Sequence, residues 1–313
     1  KEKSHVPDDA PVVLKVDHLN AGKMVQDVSF ELRKGEILGF SGLMGAGRTE
    51  TARAIFGADA KQSGDIYING EKVEINSPLN AGRMVQDVSF ELHKGEILGF
   101  SGLMGAGRTE TARALFGADR KESGDIYVNG RKVEIHSPQD AVKLGIGYLS
   151  EDRKRYGIVV GKSIIENSTM ATLEDYMSGV FINKKKEKEI TEKYIKELDT
   201  KTPSSDQLVV NLSGGNQQKV VIAKWLVRNS DILIFDEPTR GIDVGAKNEI
   251  YKLMNKLASE GKSIIMISSE MTEILRMSDR IVVMCEGKKT GEVKIEEATQ
   301  ELIMDKATRQ MEA

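Results

Sequence analysis

"LSGGNQQKVVIAKWLVRNSDILIFDEPTRG" runs from Leu212 to Gly241 and joins a helix-forming stretch to a short apolar run that ends in two acids. Ser213, Gly214 and Gly215 stand just before the helical spacing begins, where a hydroxyl and free backbone amides can receive an anion. Downstream, four apolar residues carry Asp236 and Glu237 to the end of a buried strand. Charged residues belong at such a place only if something pairs with them. Asp236 suits a water-mediated magnesium contact, and Glu237 is placed to polarise an attacking water in phosphoryl transfer. An acidic helix cap would account for either residue alone but poorly for the pair.

Outward from this stretch the pattern keeps alternating. "GAKNEIYKLMNKLASEG" reads as a helix, "SIIMISS" as a buried strand, "MTEILRMSD" as a helix and "RIVVMCEG" as a strand. Before it, "SPQDAVKLG" is a helix with proline in its first turn and "IGYLSE" a strand. Strands and helices in this order imply an α/β fold with a mostly parallel sheet covered on both faces. The lysine run in "NKKKEKEITEKYIKELD" reads as a solvated helix face.

The N-terminal half contains a near-copy of itself. Residues 19–78 and 79–138 differ at eight positions: Lys23/Arg83, Arg33/His93, Ile55/Leu115, Ala60/Arg120, Gln62/Glu122, Ile68/Val128, Glu71/Arg131 and Asn76/His136. Solenoid repeats share a pattern and diverge in detail, so a tandem duplication accounts better for a single near-copy. Each copy reads as a half-buried strand "VQDVSFEL", a buried strand "GEILGFSG", a glycine loop, a helix and a hairpin about an "NG" turn.

The glycine loop "GLMGAGRTE" occurs at 42–50 and at 102–110. A phosphate loop uses glycines to turn backbone amides toward the ligand, a helix N-terminus for positive potential, a cation for the terminal phosphates and a Ser or Thr for magnesium. Gly102, Gly105, Ala106, Gly107, Arg108, Thr109 and Glu110 fit that pattern. So do Gly42, Gly45, Gly47, Arg48 and Thr49. Arg replaces the usual Lys in both copies; guanidinium is bulkier and planar, so binding is expected to survive better than catalysis. The downstream partners can complete only one site, and the second copy runs straight into "SPQDAVKLG". Gly102–Glu110 is therefore expected in the core. The first copy becomes an extra module that packs at an edge, swaps between molecules or stays partly unfolded. The reverse assignment stays open, because "VVLKVDHL" adjoins the first copy.

Bulk properties narrow the classes. The 313 residues carry 48 acidic and 45 basic side chains, which gives no overall field directed at nucleic acid or an anionic membrane. The lone cysteine, Cys285, excludes an intramolecular disulfide and is expected to be buried, and the four histidines are expected at the surface. No apolar run is long enough to span a bilayer and none at the start reads as a signal peptide. A soluble, cytosol-facing protein is expected. The chain opens at Lys1 without an initiator Met, so it is expected to be cut from a longer one.

Glycine loop, LSGG and apolar-DEPTRGID in this order resemble the ATP-binding cassette (ABC) ATPases. "GLMGAGRTE", "YLSEDRKRYG", "LSGGNQQKV", "DEPTRGIDVGAK" and "SSEM" are similar to the C-terminal cassette of ribose-type bacterial monosaccharide importers, which fuse two cassettes in one chain. The resemblance covers residues 12 to about 305, apart from the surplus copy. It implies a P-loop NTPase with a RecA-like parallel sheet, an antiparallel β subdomain and a helical subdomain at about 152–228, preceded by a linker at 1–11. It implies ATP and Mg2+ as ligands, with metal contacts at Thr109 and Asp236, and head-to-tail pairing in which Ser213, Gly214, Gly215 and Asn216 serve a partner's nucleotide. The implied partners are an N-terminal cassette, transmembrane permease subunits and, indirectly, a periplasmic or lipid-anchored sugar-binding protein; nucleic acid is not among them. The implied location is the cytoplasmic face of the inner membrane. Departures are Arg for the loop Lys, Glu151 for a glutamine, Asn216 for Gln and Ser269 for a γ-phosphate histidine. Loss of the Lys and the histidine together puts hydrolysis by this half in doubt, although Glu237 remains, and leaves open a degenerate, structural or regulatory half.

Overall fold

Residues 12–18 occur once in the chain, ahead of the first copy only, and they decide what that copy can build. In the computed structural model, which describes residues 7, 9–34, 36, 38–41, 46–56, 59, 61–73, 85–103, 105–178 and 181–308, the chain divides into two compact units, 1–83 and 84–313. In the first unit, strand β1 (Val12–Ala21) pairs antiparallel with β2 (Val25–Arg33) on one side. Helix α1 (Arg48–Ile55) follows, and then β3 (Ser63–Ile68) pairs with the other side of β1 and β4 (Glu71–Val73) closes the order β2-β1-β3-β4. Val16 and, past an irregularity in β1 at His18 (φ 52°), Leu19 and Ala21 are buried with Val25 of β2 in one small cluster, joined by Ala54 of α1.

The second unit is larger. Strand β5 (Ile97–Gly102) leads into α2 (Arg108–Leu115), and β6 (Ile126–Val128) and β7 (Arg131–Val133) form a separate hairpin. Next come α3 (Pro138–Lys143), capped by the Ser137 hydroxyl, and β8 (Ile146–Leu149). Residues 153–227 are mostly helical: a single wide turn at Arg153–Gly157, α4 (Ile164–Thr169), the short pair β9 (Met177–Ser178) and β10 (Phe181–Ile182), α5 (Lys184–Glu197) and α6 (Gly214–Val227). The rest alternates: β11 (Ile232–Asp236), α7 (Val244–Ser259), β12 (Ser263–Ile267), α8 (Met271–Met277), β13 (Arg280–Cys285), β14 (Lys288–Lys294) and α9 (Gln300–Thr308). The main sheet has the order β14-β13-β5-β12-β11-β8, parallel except for β14. Leu98, Phe100, Leu233, Phe235 and Ile264 are fully buried within it, as expected for strands covered on both faces.

Identical sequence therefore does different work in the two copies. "VQDVSFEL" is strand β2 in the first copy. In the second, residues 85–92 form no strand, although Val88, Phe90 and Leu92 still pack on the core. "GEILGFSG" behaves the opposite way: it supplies β5 in the second copy, while residue 36 and residues 38–41 of the first form no strand. The reading of both stretches as strands in both copies is thus corrected. The cause is partner supply, since a strand without a neighbour for its amides and carbonyls is not stable. β1 serves one copy and the gap between β13 and β12 serves the other.

Two features favour the second copy in that gap. It runs directly into α3 and β8. It also carries His93 where the first carries Arg33, at the foot of the sheet. There Arg280 of β13 donates from Nε to Glu96 Oε1 at 2.6 Å and from Nη2 to the Glu91 carbonyl at 2.7 Å, and Nη2 lies 3.1 Å from His93 Nδ1. Arginine at position 93 would set a second guanidinium against Arg280 and compete for Glu96. We expect His93→Arg to cost the 84–313 unit ~1 kcal/mol, read as a lower urea midpoint, with most of the loss recovered in high salt because the site is partly solvated. An unchanged midpoint would remove this charge preference.

Candidate functional site

The C-terminal ends of β5, β11 and β12 meet, and the chemistry-bearing residues lie there. At the end of β5 the chain turns through Gly102, where an added Cβ would sit 2.4 Å from the Met284 carbonyl oxygen. Gly105 is exposed, Ala106 is buried, and Gly107 takes a left-handed φ of 91° as the N-cap of α2 without any side-chain cap. The first amides of α2 thus keep their hydrogens for a ligand, with the positive end of the helix behind them. Glu110 lies half-buried in that first turn.

Thr109 Oγ1 donates to Asp236 Oδ1 at 3.1 Å, which joins the loop of the second copy to the acidic end of β11. The other carboxylate oxygen accepts from Tyr148 Oη at 2.7 Å. Asp236 is fully buried, and burial pushes its pKa up against these two hydrogen bonds and the nearby Arg108 charge. Burial also raises the Tyr148 pKa, helped by the Asp236 charge, so the phenol stays a donor.

Next to Asp236, Glu237 adopts a left-handed φ of 48° and donates its amide to the Ile267 carbonyl at 2.9 Å, tying the end of β11 to β12. A non-glycine residue held there is strained. Its carboxylate accepts from Ser269 Oγ at 3.1 Å, and burial raises its pKa. Arg108 is buried, with Nη1 donating to the Ser268 carbonyl at 2.6 Å. Burial works against its charge, while Glu237, Asp236 and Glu110 favour it. The expected phosphate grip of Arg108 therefore starts from a guanidinium turned toward the end of β12.

Beneath these groups lies a carboxylate that sequence reasoning missed. Glu273 of α8 is 3 % exposed and accepts from Thr239 Oγ1 at 2.6 Å, Tyr251 Oη at 2.5 Å, Ser268 Oγ at 2.8 Å and Lys247 Nζ at 3.1 Å. Burial pushes its pKa up, but these donors outweigh it and hold the group below its ordinary value. Its position inside an otherwise apolar helix face was the available signal. Tyr148 was missed too; a tyrosine on a buried strand needs a partner for its hydroxyl.

Ser213, Gly214, Gly215 and Asn216 form a second cluster at the start of α6. Ser213 is exposed and its hydroxyl caps no backbone amide of α6; it accepts instead from Asn216 Nδ2 at 3.0 Å, while the Ser213 carbonyl accepts from the Gln217 amide at 2.9 Å. An added Cβ at Gly214 would lie 2.9 Å from Arg153 Nη2, and one at Gly215 would lie 2.7 Å from Ala246 Cβ. Arg153 Nη1 donates to the Arg240 carbonyl at 3.1 Å, and Glu151 pairs with the Arg240 guanidinium. Among the described residues no hydrogen bond joins Ser213–Asn216 to Gly105–Thr109. In the first unit Gly47 caps α1, and Arg48 and Thr49 are exposed at its start; Gly42 and Gly45 lie outside the described residues.

A family model described as "ABC transporter" matches residues 25–83 and again 85–240. The chain belongs to the ABC transporter family. Relatives include the ribose import ATP-binding protein RbsA of Clostridium tetani, 55 % identical over 227 residues, which are 72 % of this chain and 45 % of the relative. The xylose import ATP-binding protein XylG of Thermoanaerobacter pseudethanolicus is 57 % identical over 227 residues, covering 72 % of this chain and 45 % of that protein. The chain thus spans about half the length of the curated relatives it matches. In fold it is similar to the ADP conformation of MJ1267, an ATP-binding cassette of an ABC transporter, with a TM-score of 0.59, 21 % identity and coverage of 71 % of this chain and 87 % of that one. The expected ABC-type P-loop fold is thereby established.

The residues fit a hydrated magnesium ion. Mg2+ takes one or two protein oxygens, substrate phosphates and water, and the Thr109 hydroxyl beside one Asp236 oxygen offers such a set. Among the described residues there is no cluster of three or more His, Cys, Asp or Glu that would hold a metal on its own. Asp236→Asn should raise the thermal midpoint without ligand, because the amide removes a buried charge; its oxygen still accepts from Thr109, and its NH2 donates to the Tyr148 oxygen in place of the bond the phenol gave. The folded pKa is raised, so ionised Asp236 opposes folding; this cost is absent below the ordinary aspartate value of 3.8 and complete above the raised folded value. The gain should therefore be larger at pH 8 than at pH 4. A lower midpoint in the variant at pH 8 would contradict it.

Proposed function

We propose that this chain is the ATP-binding part of a bacterial monosaccharide importer, with the resemblance pointing to the C-terminal of two fused cassettes and the surplus segment to a tandem duplication. The bond from Thr109 to Asp236 carries the site assignment, because it brings one of two identical loops to the one acidic strand end. On this reading residues 12–313 make one cassette behind a linker at 1–11, with a helical subdomain at about 152–228. The amides of Gly105 and Gly107–Thr109 hold phosphates, with Gly102 making the turn and Glu110 behind them. Magnesium beside Thr109 and Asp236 supplies charge neutralisation there. Glu237 orients the attacking water, and Ser269 holds the Glu237 carboxylate by its hydroxyl. Glu151 links the helical subdomain to the turn at Arg240. Ser213, Gly214, Gly215 and Asn216 face a partner cassette's nucleotide.

The partners on this reading are an N-terminal cassette and transmembrane permease subunits, with a sugar-binding protein acting through them. The site of action is the cytoplasmic face of the inner membrane, where the chain is peripheral. Among the described residues no helix is long and apolar enough to cross a membrane, so the crossing falls to the permease. Which sugar is carried depends on those partners.

A second reading, a half that binds nucleotide and turns it over poorly, is favoured by the Arg108 guanidinium being engaged with the Ser268 carbonyl. A lysine ammonium would be a freer point charge.

Thr109→Ala and Thr49→Ala separate the two loops. Thr109→Ala should weaken magnesium-dependent ATP binding roughly ten-fold or more, and Thr49→Ala should leave it unchanged. Loss in the Thr49 variant alone would move the site to the first copy.

A further inference from the structure

We infer that Tyr148 is a positioning residue for the Asp236 carboxylate, and that its hydroxyl sets how strongly the site takes magnesium. The inference rests on the proposed nucleotide site and adds a residue to it.

A carboxylate turns easily about its Cβ–Cγ bond, since that torsion is broad and two-fold. Asp236 cannot, because its two oxygens are allotted. Oδ1 accepts from Thr109 at 3.1 Å on the loop side, and Oδ2 accepts from Tyr148 at 2.7 Å on the other. The shorter bond is the tyrosine's. It engages the oxygen on the β8 side and so keeps the other oxygen beside the Thr109 hydroxyl, on the side of the loop. Metal-ligating carboxylates are commonly held by such an outer hydrogen bond.

Tyr148 can do this because it is itself fixed from three directions. On β8 it stands opposite Ile234 of β11, two residues before Asp236. Its ring packs on Phe116, the C-cap of α2, with centroids 5.4 Å apart. Its carbonyl accepts from Trp225 Nε1 of α6 at 3.1 Å, and the Trp225 ring meets Phe116 edge-on at 5.8 Å. The phenol is therefore located by the helix that starts at the phosphate loop and by the helix that starts at Ser213–Gly215. A small shift of α6 reaches Asp236 through one side chain and one peptide.

Core packing alone would need the ring and not the hydroxyl. Tyr148→Phe keeps the ring and removes the donor to Oδ2. The test titrates the whole chain with a fluorescent ATP analogue, once at rising magnesium and once in EDTA, with a thermal melt of the same samples. The expected result for Tyr148→Phe is a rise in half-saturating magnesium of roughly ten-fold with unchanged nucleotide affinity in EDTA. Trp225→Phe, which removes the donor to the Tyr148 carbonyl, should give the same selective loss at smaller size and covers the case that Tyr148→Phe does not fold. An unchanged magnesium requirement in both variants, while Thr109→Ala shifts it, overturns the role of Tyr148 and leaves the site standing. Equal losses with and without magnesium overturn it as well, because they signify packing only. If Thr109→Ala also leaves the magnesium requirement unchanged, the site reading fails and the role of Tyr148 falls with it.

Discussion

A parallel sheet accepts one strand per gap, and the gap between β13 and β12 is where the architecture of the second unit is decided. The strand that fills it sets β5 beside β12, with β11 next, and so aligns the ends of three strands at one edge. Two segments of the chain carry the same "ILGFSG", so hydrophobicity and strand propensity cannot choose between them. Connectivity and the charge at position 93 can. The segment that enters has Leu98 and Phe100 fully buried, whereas Leu38 and Phe40 of the other are 37 % and 47 % exposed.

The edge formed in this way concentrates charge that the fold would otherwise avoid. Asp236 and Glu237 are both pushed toward protonation by burial, and Arg108 is pushed toward neutrality by the same cause. Ionisation of each group opposes folding of the empty protein, and such groups cluster where a charged ligand is handled. Glu273 differs. Four donors hold it ionised, and it fastens Thr239, which follows the two acids, to Ser268, whose carbonyl engages Arg108. The carboxylate that braces the site, Glu273, thus lies far along the sequence from Asp236 and Glu237, which it supports.

Much of this was legible in the sequence. The alternation from Leu212 onward gave the parallel sheet, and the order of glycine loop, LSGG and acidic strand end gave the family. What a sequence pattern cannot express is competition for partners. "VQDVSFEL" alternates equally well in both copies, yet only the copy adjoining residues 12–18 finds a strand to pair with. Side-chain direction was hidden in the same way. Arg108 reads as a phosphate ligand by position, but its length carries the guanidinium past the loop to Ser268. Tyr148 and Glu273 left only weak traces, a polar group on an apolar element, and their roles follow from contacts across 88 and 34 residues of sequence.

On the proposed reading the chain holds one nucleotide site, built by the second loop with Thr109, Asp236 and Glu237. Calorimetric titration of the whole chain with ATP and magnesium measures that number directly. One nucleotide per chain is the predicted result, since the chain has one acidic strand end and Asp236 accepts from Thr109 of the second loop. Two per chain would mean that a glycine loop binds without the acidic strand end, and would contradict the account.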